Sequence, residues 1–172
     1  QTTWRPAGMI HHHNYNRYAV TFVDNHDTYR DGNKFTGYVA QAYAFILSSP
    51  GVPCVFWPHW QGSDRQAIEQ QIAVRRAAGI HSESPVEVTE RTGYYESLAQ
   101  GHRGNLVTRI GSAAPTAAPE GYWLAASGTG WSMYLSDNLS GITAPHVPES
   151  AAPAVYSLDG RRCPTPPSSG VY

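Results

Sequence analysis

The chain has 172 residues, of which 41% are apolar and 12% aromatic, a composition typical of a packed globular protein and not of a disordered one. Its 12 Lys and Arg against 13 Asp and Glu give a net charge of −1, so no basic stripe indicates a nucleic-acid interface. No apolar stretch approaches the length of a membrane span, and we expect no secretion signal within this chain. The two cysteines, Cys54 and Cys163, do not indicate a disulfide framework, and the apolar run around Cys54 predicts a small buried side chain.

Residues 1–81 alternate strand and helix signals. Tyr18–Val23 is rich in β-branched and aromatic residues and predicts a strand, and the helical spacing of apolar residues over Phe35–Leu47 predicts a helix. The short apolar run Val52–Trp57 lies between turn signals and predicts a fully buried strand. A capping box at Ser63 and Gln66 predicts a second helix, which glycine ends at residue 79. The order strand, helix, strand, helix is typical of parallel βα units, and two such units are a fragment of a larger sheet or barrel.

Residues 82–138 carry a different pattern. Five short strand-like runs (VEVT, YYESLA, NLVTRI, GYWLAAS and WSMYL) are separated by glycine-bearing turns such as GHRG and SGTG. This pattern predicts an antiparallel β domain. Residues 139–172 are rich in Pro, Ser and Ala and predict a linker that ends in VYSLDGRRCPTPPSSGVY.

The densest polar cluster follows the first predicted strand, where AVTFVDNHDTYR places Asp24, Asn25, His26 and Asp27 in succession. In a parallel βα fold, residues at the carboxyl end of a strand face the active site. A plain turn is the alternative, because Asp and Asn tolerate tight backbone geometry.

The longer string FVDNHD resembles the region that closes the seventh strand of the catalytic (β/α)8 barrel in the α-amylase family of glycoside hydrolases. PGVPCVFW resembles the eighth strand of that family, and AAGIHSESPVEV resembles the start of its domain C. The resemblance covers about residues 18–135. It implies an α/β part followed by an all-β part: strands 7 and 8 of a TIM barrel with their helices, then an antiparallel β-sandwich domain C.

The resemblance also implies site residues. His26 matches the histidine that hydrogen-bonds the sugar before the cleaved bond, and Asp27 matches the catalytic carboxylate that stabilises the oxocarbenium-like transition state. Asp24 and Asn25 match the same motif and are interpreted as shaping the strand end. The implied reaction is hydrolysis of internal α-1,4-glucosidic bonds in starch or maltooligosaccharides with retention of configuration.

Two further carboxylates that a retaining glycosidase needs are not matched. The family places its nucleophile and acid/base on strands four and five, and neither string occurs in this sequence. We therefore expect the chain alone to be inactive and to require a missing N-terminal barrel portion, or to self-associate through its open strand edges. The alternative function is a non-catalytic α-glucan-binding or scaffold fragment.

Other candidate sites follow. His11–His13 indicates either a metal cluster or an exposed loop, and the loop is favoured because neighbouring side chains on an extended chain point in opposite directions. Trp57, with His59 and Trp60, indicates a sugar-stacking surface or buried aromatic packing at the barrel rim. The resemblance implies structural calcium for the complete family protein, held by a loop domain whose ligands are not in this chain.

The C-terminal segment VYSLDGRR…GVY resembles sorting segments of proteins exported by Bacteroidetes. That resemblance implies an extracellular or cell-surface location. A strand with an Asp-Gly turn is the alternative interpretation.

Overall fold

The computed structural model describes residues 15–139 and the backbone of residues 155–156 and 162–163. The histidine run His11–His13 and most of the sorting-like tail lie outside the described residues. In the part of the chain that is described, no helix has the length and apolar character needed to cross a bilayer.

The first region contains two very short parallel strands. A 3-10 turn at Asn16–Tyr18 leads into β1 (Val20–Thr21), which pairs in parallel with β2 (Val52–Pro53). The parallel pairing of the two predicted strands is confirmed, although each ladder is shorter than predicted. The prediction of a fully buried second strand is wrong, since Val52 is 48% exposed. No other described strand flanks this pair to cover its faces and edges.

Four helices accompany these strands. They are α1 (His26–Arg30), α2 (Val39–Leu47), α3 (Trp57–Gln61) and α4 (Arg65–Ala78). The predicted capping box of α4 is wrong, because its N-cap is Asp64 and no side chain caps it. The predicted end is confirmed: Gly79 follows α4 with φ 72°, a left-handed conformation that favours glycine.

The second region is a five-stranded antiparallel sheet. Its strands are β3 (Val86–Arg91), β4 (Tyr94–Gln100), β5 (Asn105–Ile110), β6 (Tyr122–Gly128) and β7 (Trp131–Ser136), in the order β3-β4-β5-β7-β6. All five predicted strands are confirmed. Within the described residues the β part is one sheet covered by helices, so the predicted sandwich of two sheets is not what forms. Farther along, β8 (Val155–Tyr156) pairs antiparallel with β9 (Arg162–Cys163).

Helices α2 and α4 pack against this sheet. One hydrophobic core joins Ala44 of α2 and Val74 of α4 to buried sheet residues such as Leu106, Met133 and Leu135. A second cluster lies among the helices themselves, around Tyr43, Ile46, Leu47 and Ile68. The larger core therefore crosses residue 81, where the sequence predicts a domain boundary. That boundary and the partial barrel stay predictions.

The turn between β4 and β5 fixes this packing. The amides of His102 and Arg103 donate to the carbonyls of Gly79 and Ala78 at 3.1 Å, so the turn satisfies the open carbonyl end of α4. A Cβ added at Gly101 would overlap the Ala78 carbonyl oxygen. The backbone of the turn therefore approaches α4 at a distance that requires glycine.

Candidate functional site

The DNHD string folds as a capped helix start. The Asn25 side chain accepts hydrogen bonds from the backbone amides of Asp27 at 3.1 Å and Thr28 at 2.9 Å, and Thr28 Oγ1 accepts from the Asn25 amide at 3.1 Å. This reciprocal cap begins α1 directly after β1. The segment is therefore a turn, as the alternative predicted, and it also leads from the strand into α1. Asn25 shapes its backbone as the N-cap of that helix.

Asp24 is buried beneath α1. Its side chain is 1% exposed and accepts from the Phe35 amide at 3.0 Å and from Thr28 Oγ1 at 3.1 Å. His59 Nε2 of α3 lies 3.3 Å from the other carboxylate oxygen. The carboxylate thus joins α1, the segment after it and α3, which extends the predicted role of Asp24 at the strand end.

His59 is held from its other side by Tyr43 of α2. The Tyr43 hydroxyl lies 3.1 Å from His59 Nδ1 and accepts a hydrogen bond from the Phe56 amide at 3.0 Å. Burial is the main cause that raises the pKa of Tyr43, so the phenol keeps its proton at neutral pH. The buried part of the site is therefore a chain of polar contacts that runs from α1 through α3 to α2.

His26 and Asp27 face solvent. Their side chains are 84% and 58% exposed, and His26 Nε2 lies 3.5 Å from Asp27 Oδ1. Arg30, one turn later on α1, lies 3.3 Å from the same oxygen. The structure thus places the two predicted residues side by side, an imidazole next to a solvent-exposed carboxylate that also pairs with Arg30. Such a pair can bind the vicinal hydroxyls of a sugar, because the carboxylate accepts hydrogen bonds from them and the imidazole can donate to them.

Trp57 is the first residue of α3 and is 63% exposed. The ring of Phe56, its neighbour, packs on Tyr29 of α1 with centroids 5.2 Å apart. This contact joins the helix that carries Trp57 to the helix that carries His26 and Asp27. Trp60, by contrast, is only partly exposed and packs with the second core cluster, which fits the packing alternative for that residue.

Sequence reasoning missed the buried partners of the site. Tyr43 occupies a helical position among apolar residues and was indistinguishable from an ordinary core residue. For His59 the sequence indicates sugar stacking or aromatic packing at the barrel rim, and neither alternative includes a hydrogen bond to Asp24. A polar tip on an otherwise apolar helix face is the one signal in the sequence that points to a hydrogen-bonded role for Tyr43.

The described residues contain no group of three or more His, Cys, Asp or Glu side chains placed to hold a metal ion. Cys54 is a free and exposed thiol, so the prediction of a buried Cys54 is wrong. It follows the two-residue β2, which pairs with no strand other than β1 among the described residues.

No family profile matches the chain. The chain is 40% identical over 106 residues to glucan 1,4-alpha-maltotetraohydrolase of Stutzerimonas stutzeri, an alignment that covers 55% of this chain and 19% of that protein. It is 32% identical over 122 residues to probable alpha-amylase 2 of Arabidopsis thaliana, covering 67% of this chain and 29% of the relative. It is also 40% identical over 76 residues to alpha-amylase type B isozyme of Hordeum vulgare, covering 42% and 50%.

These relatives are α-amylases and maltotetraohydrolases, which supports the predicted resemblance to α-amylase family glycoside hydrolases. The chain spans at most half the length of these curated relatives, with 50% for the Hordeum vulgare protein and 19% for the Stutzerimonas stutzeri protein. They give no support to a Bacteroidetes origin.

Proposed function

We propose that this chain is the C-terminal part of an α-amylase-type hydrolase that cleaves internal α-1,4-glucosidic bonds in starch-like glucans with retention of configuration. The observation that carries the proposal is the exposed His26–Asp27 pair, held at the start of α1, the next element after the parallel strand β1. The similarity of the chain to maltotetraohydrolases and α-amylases supports the choice of substrate class.

In this proposal Asp27 binds two hydroxyls of the sugar before the cleaved bond. Its carboxylate strengthens those hydrogen bonds as positive charge develops on the flattened ring, so it stabilises the transition state more than the bound substrate. His26 donates to and accepts from the same sugar. Trp57 supplies an apolar face for a neighbouring sugar ring, as its 63% exposure allows.

The reaction also needs a nucleophile and an acid/base, whose characteristic strings are absent from these 172 residues. We therefore propose that the barrel portion carrying them completes the site, and that the 172-residue chain alone does not hydrolyse glucans. Structural calcium and an extracellular location belong to the same proposal for the complete protein. None of the residues that the structure describes is assigned to calcium.

The test uses the full-length product of the gene that encodes this chain. Asp27→Asn should lower kcat on starch by about 10³-fold, or about 4 kcal/mol, with little change in KM, because one preorganised charged contact to the transition state is lost. His26→Ala should reduce kcat less, since it removes hydrogen bonds from a neutral group. Release of reducing sugar is the measurement.

Glu69→Gln is the matched control, because Glu69 is a partly exposed carboxylate on α4 that pairs with Arg65 of its own helix. It should leave kcat unchanged. A full-length product that keeps its activity in Asp27→Asn would contradict the proposed role of Asp27. Release of reducing sugar by the purified 172-residue chain would contradict the missing catalytic pair.

A non-catalytic α-glucan-binding fragment is the second candidate, and the exposed rings of Trp57 and Tyr38 favour it, at 63% and 71% exposure. Titration of the 172-residue chain with maltotetraose should then quench tryptophan fluorescence, and Trp57→Ala should remove most of the change. If the chain binds no maltotetraose in the absence of the rest of the barrel, this second function is excluded.

A further inference from the structure

Three buried polar side chains beneath α1 have no role in the proposed contacts with sugar. Asp24 and His59 have side chains that are 1% and 10% exposed, and Tyr43 is fully buried. They come from three different places in the chain: the segment before α1, helix α3 and helix α2. A buried carboxylate is costly unless each of its oxygens meets donors, which indicates that this arrangement is specified and not incidental.

The contacts define the direction of the hydrogen bonds. The Asp24 carboxylate accepts hydrogen bonds from the Phe35 amide and from the Thr28 hydroxyl. The nitrogen that faces it, His59 Nε2 at 3.3 Å, then carries the imidazole proton. The Tyr43 hydroxyl already accepts from the Phe56 amide, which directs its own proton to His59 Nδ1 at 3.1 Å. These contacts favour the tautomer of His59 that carries a proton on Nε2 and accepts on Nδ1.

Helix α1 needs such support. It has five residues and buries none of them, and an isolated helix of that length is unstable in water. Asp24 holds it through Thr28 within the helix and holds the following segment through Phe35. His59 extends this attachment to α3, whose own position is fixed through Tyr43 on the core-forming α2.

We propose that Asp24, His59 and Tyr43 form a positioning relay that holds α1 in place and thereby sets the orientation of His26 and Asp27. The inference rests on the proposed function. The three residues act through α1 and do not touch sugar. Their loss should therefore change the order of α1 and the turnover of the complete enzyme more than the stability of the sheet.

The first test is the tautomer of His59 in the 172-residue chain, measured by long-range proton–nitrogen NMR. The relay requires a proton on Nε2 and none on Nδ1. Asp24→Asn replaces one acceptor oxygen by a donor and should shift the ring toward the Nδ1-protonated tautomer. A wild-type ring protonated on Nδ1, or a ratio unaffected by Asp24→Asn, overturns the relay.

The second test is amide hydrogen exchange in the same chain. His59→Ala should accelerate exchange of the Thr28 and Phe35 amides by about tenfold or more, as loss of support from a charge-assisted hydrogen bond requires, and leave β5 and β7 unchanged. His59→Gln, which keeps an N–H for Asp24, should restore part of the protection. His102→Gln, a histidine substitution on the β4–β5 turn where the ring stacks on His81, should leave exchange of the Thr28 and Phe35 amides unchanged.

Uniform acceleration across α1 and the sheet would show a general structural role and overturn the positioning role. Unchanged α1 exchange in a folded variant would overturn it as well. If His59→Ala fails to fold, Tyr43→Phe is the second variant, because it removes only one hydroxyl. The Phe56 amide donates to that hydroxyl, so the relay requires that this amide exchange faster in Tyr43→Phe.

The third test is turnover of the full-length gene product. His59→Ala should lower kcat by on the order of 10²-fold with little change in KM, since misplacement of a catalytic group affects the transition state. His59→Gln should recover part of the loss. Unchanged kcat overturns the positioning role. If the full-length product hydrolyses no glucan, the proposed function fails, while the tautomer and exchange results still decide whether the relay exists.

Discussion

The two sheets of the described chain differ in how completely other elements cover them. In the parallel pair, Val20 of β1 and Val52 of β2 are 60% and 48% exposed. In the antiparallel sheet, Leu106 of β5 and Leu135 of β7 are fully buried, and five consecutive residues of β5 are buried. Both regions are rich in Val, Ile, Leu and aromatic residues. Neighbouring elements, and not local composition, therefore decide how long a strand extends and how deeply it is buried.

The same contrast holds for large apolar side chains. Nine of the ten exposed ones among the described residues precede residue 58, and Leu124 alone lies in the β part. Helices α2 and α4 nevertheless belong to the buried core, because the sheet covers them. The first region is thus anchored through its helices and open at its strands, which is the arrangement expected if further barrel strands pack against it.

The largest loss of stability should come from disrupting the packing of the β4–β5 turn against the C-terminal end of α4, which connects the two regions. Gly101→Ala places a Cβ against the Ala78 carbonyl, and neither backbone segment can move without losing the amide bonds from His102 and Arg103. We expect a loss of about 3 kcal/mol in the free energy of unfolding. Urea denaturation followed by circular dichroism measures it.

Gly121→Ala is the control for that experiment, because a Cβ there meets nothing within 4 Å, although its φ of 75° adds some backbone strain. It should cost only about 1 kcal/mol. Equal losses in the two variants would show that the close approach at Gly101 does not matter.

A comparable loss should follow from Arg75→Met. The Arg75 guanidinium donates to the carbonyls of Leu47 at 2.8 Å, Ser49 at 2.6 Å and Gly51 at 3.1 Å, which ties α4 to the turn before β2. Burial lowers the pKa of Arg75 to about 10, so the side chain is still charged at neutral pH. Methionine keeps the apolar stem and leaves buried carbonyls without donors, for an expected loss of about 2–3 kcal/mol.

Arg76→Met, at the next and exposed position of α4, separates this effect from a change in net charge. It should shift the unfolding midpoint far less. If both variants unfold at the same denaturant concentration, the three carbonyl contacts contribute nothing to stability.

The contrast between the regions also explains what sequence could predict. The five β-domain strands were predictable because each run is bounded on at least one side by a glycine-bearing turn. The end of α4 was predictable because Gly79 supplies a left-handed conformation. These signals are local, whereas the pairing of β5 with β7, which skips β6, is not.

The first region depends on contacts distant in sequence. The predicted strand Val52–Trp57 ends after Pro53, and Trp57 begins a helix, with Pro58 in its first turn as a local signal that the apolar run concealed. Likewise, Asp24 meets His59 from 35 positions away. His26 and Asp27 could be selected only from the family resemblance, and their roles stay predictions.

A smaller effect, dependent on pH, should appear in the sheet. Burial alone would raise the pKa of Glu96, but hydrogen bonds from Arg109 at 2.7 Å and Arg91 at 3.1 Å outweigh it and lower the pKa below its ordinary value of 4.5. A carboxylate with a lowered folded-state pKa contributes stability above the unfolded value and loses it as pH falls through the folded value.

Glu96→Gln should therefore cost about 1–2 kcal/mol near pH 7, and the difference from wild type should shrink as the pH is lowered below about 4.5. Urea unfolding at a series of pH values measures this convergence. Glu87→Gln on β3 is the control. A difference from wild type that stays constant down to pH 3 would contradict the role of the two arginines.

The smallest effect on stability should come from the open strands, where the consequence is association instead. Val20 and Val52 are paired with each other and exposed, so Val20→Thr with Val52→Thr should change the free energy of unfolding by less than about 0.5 kcal/mol.

The wild-type chain should self-associate at high concentration, since an apolar, unpaired strand edge is a template for another chain. The double variant should associate less, as measured by static light scattering. A wild-type chain that stays monomeric at high concentration would mean that the open strands of the first region need no partner, and the difference between the two sheets would then be one of geometry alone.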